Sequence, residues 1–123
     1  MAVSPTSTDL QKLLDHDPDG PVVMLNLLRF RPDGGRDSYN EYSRQSREVL
    51  ARYGAEVVYY GEGSTALVAE HGQNWDAVLL VRYPSRATFL KMVADPDYQR
   101  TTHLRSQALT EAVLQATVPI APR

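Results

Sequence analysis

Asn26, Glu62, His103 and Arg105 are the residues of this chain whose types and settings point to chemistry. Asn26 interrupts the apolar run Val22-Val23-Met24-Leu25-Asn26-Leu27-Leu28. A carboxamide there must find hydrogen-bond partners or face a cavity. In a pocket it would orient a ligand carbonyl or stabilise a developing oxyanion; otherwise it satisfies the backbone of a loop. His103 follows Tyr98 on a polar helical segment and neighbours Arg105. A guanidinium beside an imidazole favours the neutral ring, the form that acts as a general base; the plain alternative is a surface histidine. Glu62 shares a strand face with Tyr60 and needs a cationic partner such as Arg82 or Arg105, either as a base or in a structural ion pair. Arg105 is expected to hold an anionic or carbonyl group. Tyr39, Tyr42 and Tyr53 form a stripe that reads first as core, although their hydroxyls also suit a mixed pocket wall.

Other motifs fall away. Asp15-His16-Asp17-Pro18-Asp19-Gly20 fits the start of a calcium loop. Its twelfth position, where a bidentate Glu belongs, is Asn26, so a solvated acidic turn is expected instead. His16, His71 and His103 have no ligand spacing, and no metal is expected. The chain contains no cysteine, which excludes disulfides, thiolate nucleophiles and Cys-based metal sites. There is no phosphate-cradling glycine loop and no G-x-S-x-G nucleophile turn.

The elements that must position these residues follow from periodicity. Thr6 to Asp9 before Leu10, Leu13 and Leu14 reads as a capped amphipathic helix ending at Pro18 and Gly20. Val22 to Leu28 is apolar on both parities, the mark of a strand covered on both faces. From Ser38 the period becomes helical: Tyr39, Tyr42, Ser46, Val49, Leu50 and Tyr53 share one face, and Gly54 ends the helix. Val57 to Glu62 is a second strand. Residues 65–73 read equally as a strand extension or a loop. Trp75 to Tyr83, through Ala77-Val78-Leu79-Leu80-Val81, is again apolar on both parities. Ser85 caps a helix over 86–93. Asp95-Pro96 starts a segment running through Tyr98, Thr102, Arg105 and Leu109. Ala112, Leu114, Ala116 and Val118 alternate as a last strand.

At 123 residues the chain is one domain, large enough for a core without metal or disulfide. The predicted order after the first helix is β-α-β-β-α-β, giving an α+β, ferredoxin-like fold with a four-stranded antiparallel sheet. Residues 1–20 form an N-terminal helical extension, 21–119 the domain, and 120–123 a frayed tail. In this topology the first and third strands are central, and those are the two with apolar residues on both faces. Both helices cover one face, so something else must cover the other. A second subunit paired sheet to sheet is the expected cover; the alternative is the N-terminal helix.

The apolar strand with Asn26, the helix carrying Tyr42, Tyr60-Gly61-Glu62-Gly63, Tyr83-Pro84-Ser85 and Asp95-Pro96-Asp97-Tyr98-Gln99 with Leu104-Arg105 occur in an order that resembles one known family. It is the domain of unknown function 1330 family, within the dimeric α/β-barrel superfamily. The resemblance covers roughly Val22 to Val118 and implies a ferredoxin-like protomer and a homodimer through the sheet face. The superfamily includes cofactor-free monooxygenases, isomerases, haem enzymes and ligand-binding modules. By that analogy the expectation is a small-molecule-binding protein or enzyme with a pocket between sheet and helices, lined by Asn26, Tyr42, Tyr60, Glu62, Tyr98, His103 and Arg105. Its chemistry would be proton transfer or cofactor-free oxygenation of a carbonyl or phenolic substrate, with His103 or Glu62 as catalytic base. The alternative is a non-catalytic dimeric module that binds a metabolite or a partner. Haem would rest on His103 or His71 alone, and no cofactor is expected. The net charge of −2 gives no footprint for nucleic acid. Met1 to Asp9 lacks basic and apolar signal features, and no apolar run approaches a membrane span, so neither secretion nor a membrane partner is expected and a cytoplasmic location is the default.

Overall fold

The computed structural model describes residues 3–121. Thr6 opens α1 (Ser7–Leu13) with a capping box: its hydroxyl accepts from the Asp9 amide, and the Asp9 carboxylate accepts from the Thr6 amide. Both satisfy backbone or side-chain groups that a helix start leaves open. The acidic turn at residues 15–20 then leads into β1 (Val22–Phe30), α2 (Gly35–Arg52), β2 (Glu56–Glu62) and β3 (Ala77–Tyr83). They are followed by α3 (Arg86–Ala94), α4 (Pro96–Gln99), α5 (Thr102–Ala108) and β4 (Leu109–Thr117).

One expectation on local structure changes, and one open alternative is resolved. The single helical segment from Pro96 to Leu109 is broken at Arg100 and Thr101 into α4 and α5. The Thr101 hydroxyl donates to the Tyr98 carbonyl at 2.6 Å, a local bond that competes with helix continuation. Residues 65–73 are a loop and extend neither neighbouring strand. The ladder ends where the Gly63 amide donates to the Asp76 carbonyl, and a turn from Glu70 to Gln73 replaces further pairing. Ile120 is exposed, and the last two positions of the expected tail lie outside the described residues.

The strands form one antiparallel sheet in the order β2-β3-β1-β4, the ferredoxin-like arrangement with β1 and β3 central. Asn26 sits in register between Leu79 of β3 and Leu114 of β4. Its face of the sheet, with Val22, Met24 and Leu28, is buried under the helices, whereas Val23, Leu25 and Leu27 on the other face are half-buried. Leu10 and Leu13 of the N-terminal extension pack against the helix-side core. The Ala87 amide donates to the Pro18 carbonyl at 3.1 Å, which ties the extension to α3. α1 therefore does not cover the outer face. Two glycines matter to the frame. Gly54, at φ +74°, turns the chain out of α2 in a conformation that side chains disfavour. A Cβ on Gly35 would lie 2.5 Å from the Ala108 carbonyl, so only glycine lets α2 start this close to the α5–β4 junction. No helix among the described residues is long and apolar enough to cross a membrane.

Candidate functional site

A cavity of about 690 Å³ lies between the inner sheet face and the helices. That is within the usual size range of small-molecule pockets. Asn26, Leu79, Val81 and Leu114 form its floor, and α2 contributes Tyr39, Tyr42, Ser46 and Leu50. Phe89 and Val93 come from α3, Tyr98 from α4 and Arg105 from α5. Ser4, Pro5 and Leu10 of the N-terminal extension close one side. Arg47, Ala51, Val57 and Tyr60 are lining residues that are also exposed, and they mark a mouth between α2 and the edge strand β2.

Arg105 is the charged group inside. It is 7% exposed. Its Nη1 donates to the Val3 carbonyl, while its Nη2 is sealed from solvent and has no hydrogen-bond partner. No acceptor among the described residues reaches its Nε, and no carboxylate pairs with it. Among the described residues, the cavity wall contains no Asp, Glu or His.

Five tyrosines add hydroxyls to the wall, beside Ser43, Ser46, Gln99, Thr102 and Ser106. Those of Tyr42 and Tyr98 are 2.7 Å apart, so one donates to the other and a single proton of the pair is left for a further acceptor. Burial pushes the Tyr39, Tyr42 and Tyr83 hydroxyls well above their ordinary value of 10.0, and the Arg105 charge pulls each of them back in part. Burial also raises Tyr60. All four stay protonated at neutral pH. The Asn26 amide nitrogen makes two long bonds of 3.4 Å, to the Met24 and Leu79 carbonyls. No donor among the described residues reaches its Oδ1.

Of the expected site residues, Asn26, Tyr42, Tyr60, Tyr98 and Arg105 line this one cavity, and His103 and Glu62 do not. His103 is exposed. Residues two apart on a helix point about 200° from one another, so α5 cannot aim both His103 and Arg105 inward. Glu62 shares the inner parity of Tyr60 but sits at the end of β2, where it pairs at 2.8 Å with Arg36 from the first turn of α2. That pair is exposed and replaces the expected partners Arg82 and Arg105. Neither residue therefore reaches this cavity, where the expected lining had placed them. Of the tyrosine stripe, Tyr53 leaves the wall and donates to Asp95 at 2.7 Å, and this bond holds the Asp95 carboxyl below its ordinary value. Among the described residues no group of three His, Asp or Glu side chains could hold a metal.

Among the wall residues that sequence reading missed, three placements are instructive. Tyr83 reads only as the end of the strand over 75–83, yet its parity with Leu79 and Val81 was enough to place it on the cavity side. Val57 joins Tyr60 on the inner face only because the β2–β3 register shifts between Val57 and Tyr59, which alternation alone does not reveal. Ser4 and Pro5 precede the first element and carry no periodic signal.

The model of the domain of unknown function DUF1330 matches residues 34–117. The RPA0582 protein of unknown function from Rhodopseudomonas palustris is 32% identical over 98% of each chain, with a TM-score of 0.90. The hydroxynitrile lyase of Passiflora edulis is 12% identical, with a TM-score of 0.61 over 86% of this chain and 99% of its own. A Bacteroides fragilis protein described as dimeric, of unknown function and ferredoxin-like fold, is 12% identical, with a TM-score of 0.54 over 80% and 95%. These last two likenesses are of fold. No curated protein matches the sequence. The family match, together with a near full-length relative of the same fold, means that the chain belongs to the DUF1330 family.

Proposed function

We propose that this protein binds a small organic acid in the cavity between sheet and helices, with the ligand carboxylate held on Arg105. One observation carries the reading: a buried guanidinium whose Nη2 has no partner, in a wall without any acidic residue. An uncompensated buried charge costs several kcal/mol, on the order of 3–5. A ligand that supplies the counter-charge removes that cost. The Val3 carbonyl occupies Nη1, and a carboxylate that a small side-chain shift brought to Nη2 would supply the missing acceptor and the counter-charge together. The free proton of the Tyr42–Tyr98 pair suits a carboxylate lone pair, and Leu50, Leu79, Val81 and Phe89 suit an apolar body.

Binding without chemistry is favoured over proton transfer or oxygenation. Those reactions need a base to generate a carbanion or phenolate. Burial has pushed up the Tyr39, Tyr42 and Tyr83 hydroxyls of the wall, and His103 and Glu62 lie outside it. A homodimer belongs to the same reading. The outer face presents Val23, Leu25, Leu27, Val78 and Leu80 half-buried, and a second copy paired sheet to sheet would cover them. The fold-related protein from Bacteroides fragilis is described as dimeric.

Thermal unfolding with 3-phenylpropionate and its methyl ester tests the carboxylate. The acid at a hundredfold excess over its Kd is expected to stabilise the protein by about 2.7 kcal/mol, and the ester not at all. Equal shifts from both, or a shift retained in Arg105→Met, would rule the reading out.

A further inference from the structure

We infer that the ligand is a hydroxy acid, a monocarboxylate that also carries an uncharged hydroxyl directed at the Asn26 Oδ1. The inference rests on the carboxylate reading and adds the second polar group of the ligand. Asn26 is 7% exposed and lies in the middle of the cavity floor, in register with Leu79 and Leu114. Its amide nitrogen faces two backbone carbonyls, Met24 and Leu79. Carbonyls only accept, so the reverse orientation would set oxygen against two oxygens, and the side chain is fixed with Oδ1 on its other side. That oxygen has no donor among the described residues, yet it is not one of the fully sealed, unpartnered polar atoms. It is thus an open acceptor in a wall of Met24, Leu79, Val81 and Leu114.

Water can reach this acceptor in the empty cavity, so the cost falls on a ligand that displaces the water without supplying a donor of its own. Three kinds of donor are available to a small acid: a hydroxyl, an amide N–H or an ammonium. The ammonium conflicts with the field of the site. Two guanidiniums, Arg47 and Arg105, line the cavity and no carboxylate opposes them, so an amino acid would bring a third positive charge without a partner. The hydroxyl is the smallest neutral donor that fits beside an apolar body. The polar groups therefore divide by role. Arg105 and the tyrosine pair donate to the acid end, and Asn26 accepts from the hydroxyl.

Calorimetric titration of the full chain with one carbon skeleton separates the hydroxyl from the ammonium. The probes are 3-phenylpropionate, its 2-hydroxy and three ring-hydroxylated derivatives, and phenylalanine as the ammonium counterpart. At least one hydroxylated probe is expected to bind about tenfold more tightly than the parent acid, and phenylalanine more weakly than the parent. In Asn26→Leu the hydroxyl gain should shrink to within about twofold, with parent binding retained. Should that variant fail to fold, the probe series on the unaltered protein still decides. If the parent acid binds and no hydroxylated probe gains, the hydroxy-acid inference is overturned while the carboxylate pocket stands. If an ester of the parent binds as well as the acid, the carboxylate reading falls, and this inference with it.

Discussion

Arg29 and Arg105 are two cations set against opposite faces of the same sheet, and they are treated in opposite ways. Arg29, on the outer face, pairs with Glu111, donates to the Gly72 and Asn74 carbonyls at 2.9 and 2.7 Å, and lies 4.4 Å from the centroid of the Trp75 ring. Each of its contacts comes from the chain itself, and together they fasten the loop between β2 and β3. Arg105 is more deeply buried, has one backbone carbonyl on one nitrogen and nothing on another. A fully partnered cation is a fastening, whereas a buried cation with an unpartnered nitrogen is left uncompensated by the chain itself. Burial alone would have ranked the two the wrong way round for stability.

The two arginines should respond oppositely to the same substitution. Arg105→Met removes a poorly compensated charge while keeping much of the apolar stem. We expect at least a hundredfold loss of affinity for 3-phenylpropionate together with an unliganded protein that is more stable by about 1–3 kcal/mol. Arg29→Met strands Glu111 and frees the loop. It should destabilise by about 1–2 kcal/mol and leave the affinity unchanged. Calorimetry and chemical denaturation on both variants read all four quantities. Loss of stability in Arg105→Met would mean that its contact with the Val3 carbonyl outweighs the charge, and that the site is structural.

Contrast between the two sheet faces extends to assembly. Leu25 and Leu80 are register partners on the outer face and half-buried in one chain. A carboxylate introduced there would be desolvated by a second sheet but tolerated by water. Leu25→Glu should raise the dimer dissociation constant by at least about a hundredfold in sedimentation equilibrium. Carboxylate affinity in the opposite face should stay within about twofold. An unaltered protein that sediments as a monomer would remove the sheet-paired assembly, and the variant would then change nothing.

Much of this division was legible in the sequence. A ferredoxin-like order with two doubly apolar strands identifies the central pair, and Asn26 announces itself by being polar among Leu and Met. Helical periodicity alone brought Tyr42 onto the inner face. Arg105 was legible as a residue type, but its value comes from what is missing around it, and a missing partner has no sequence signal. The same holds for His103, two positions away: choosing between them requires the rotation of α5, which the break at Arg100 and Thr101 sets. Glu62 failed for a different reason. Parity was right, but β2 outruns the cavity, and the cation waiting at its end is Arg36 from an adjacent helix rather than one within it. Long-range placement along an element, as opposed to around it, is what periodicity cannot supply.

The smallest expected effect concerns the tyrosines, which separate the inner face from every exposed tyrosine on the outer one. Tyr42→Phe removes one half of a buried hydroxyl pair and leaves Tyr98 without that partner, costing about 0.5–1.5 kcal/mol of stability and a few-fold in carboxylate affinity. Its clearer signature lies at alkaline pH. Tyr39, Tyr42 and Tyr83 have folded-state values raised above 10.0 by burial, while in the unfolded chain they ionise near 10.0. Their contribution is fully present below pH 10 and is lost as pH rises from there through the raised values, because only the unfolded state gives up its protons. Each such tyrosine adds a slope that approaches about 1.4 kcal/mol per pH unit. Denaturant midpoints between pH 9.5 and 11, spanning roughly the ordinary tyrosine range, should therefore fall less steeply in Tyr42→Phe than in the unaltered protein. An identical slope in Tyr42→Phe would mean that water reaches the hydroxyl pair, and a wetted wall would weaken the case that Arg105 waits for a ligand rather than for solvent.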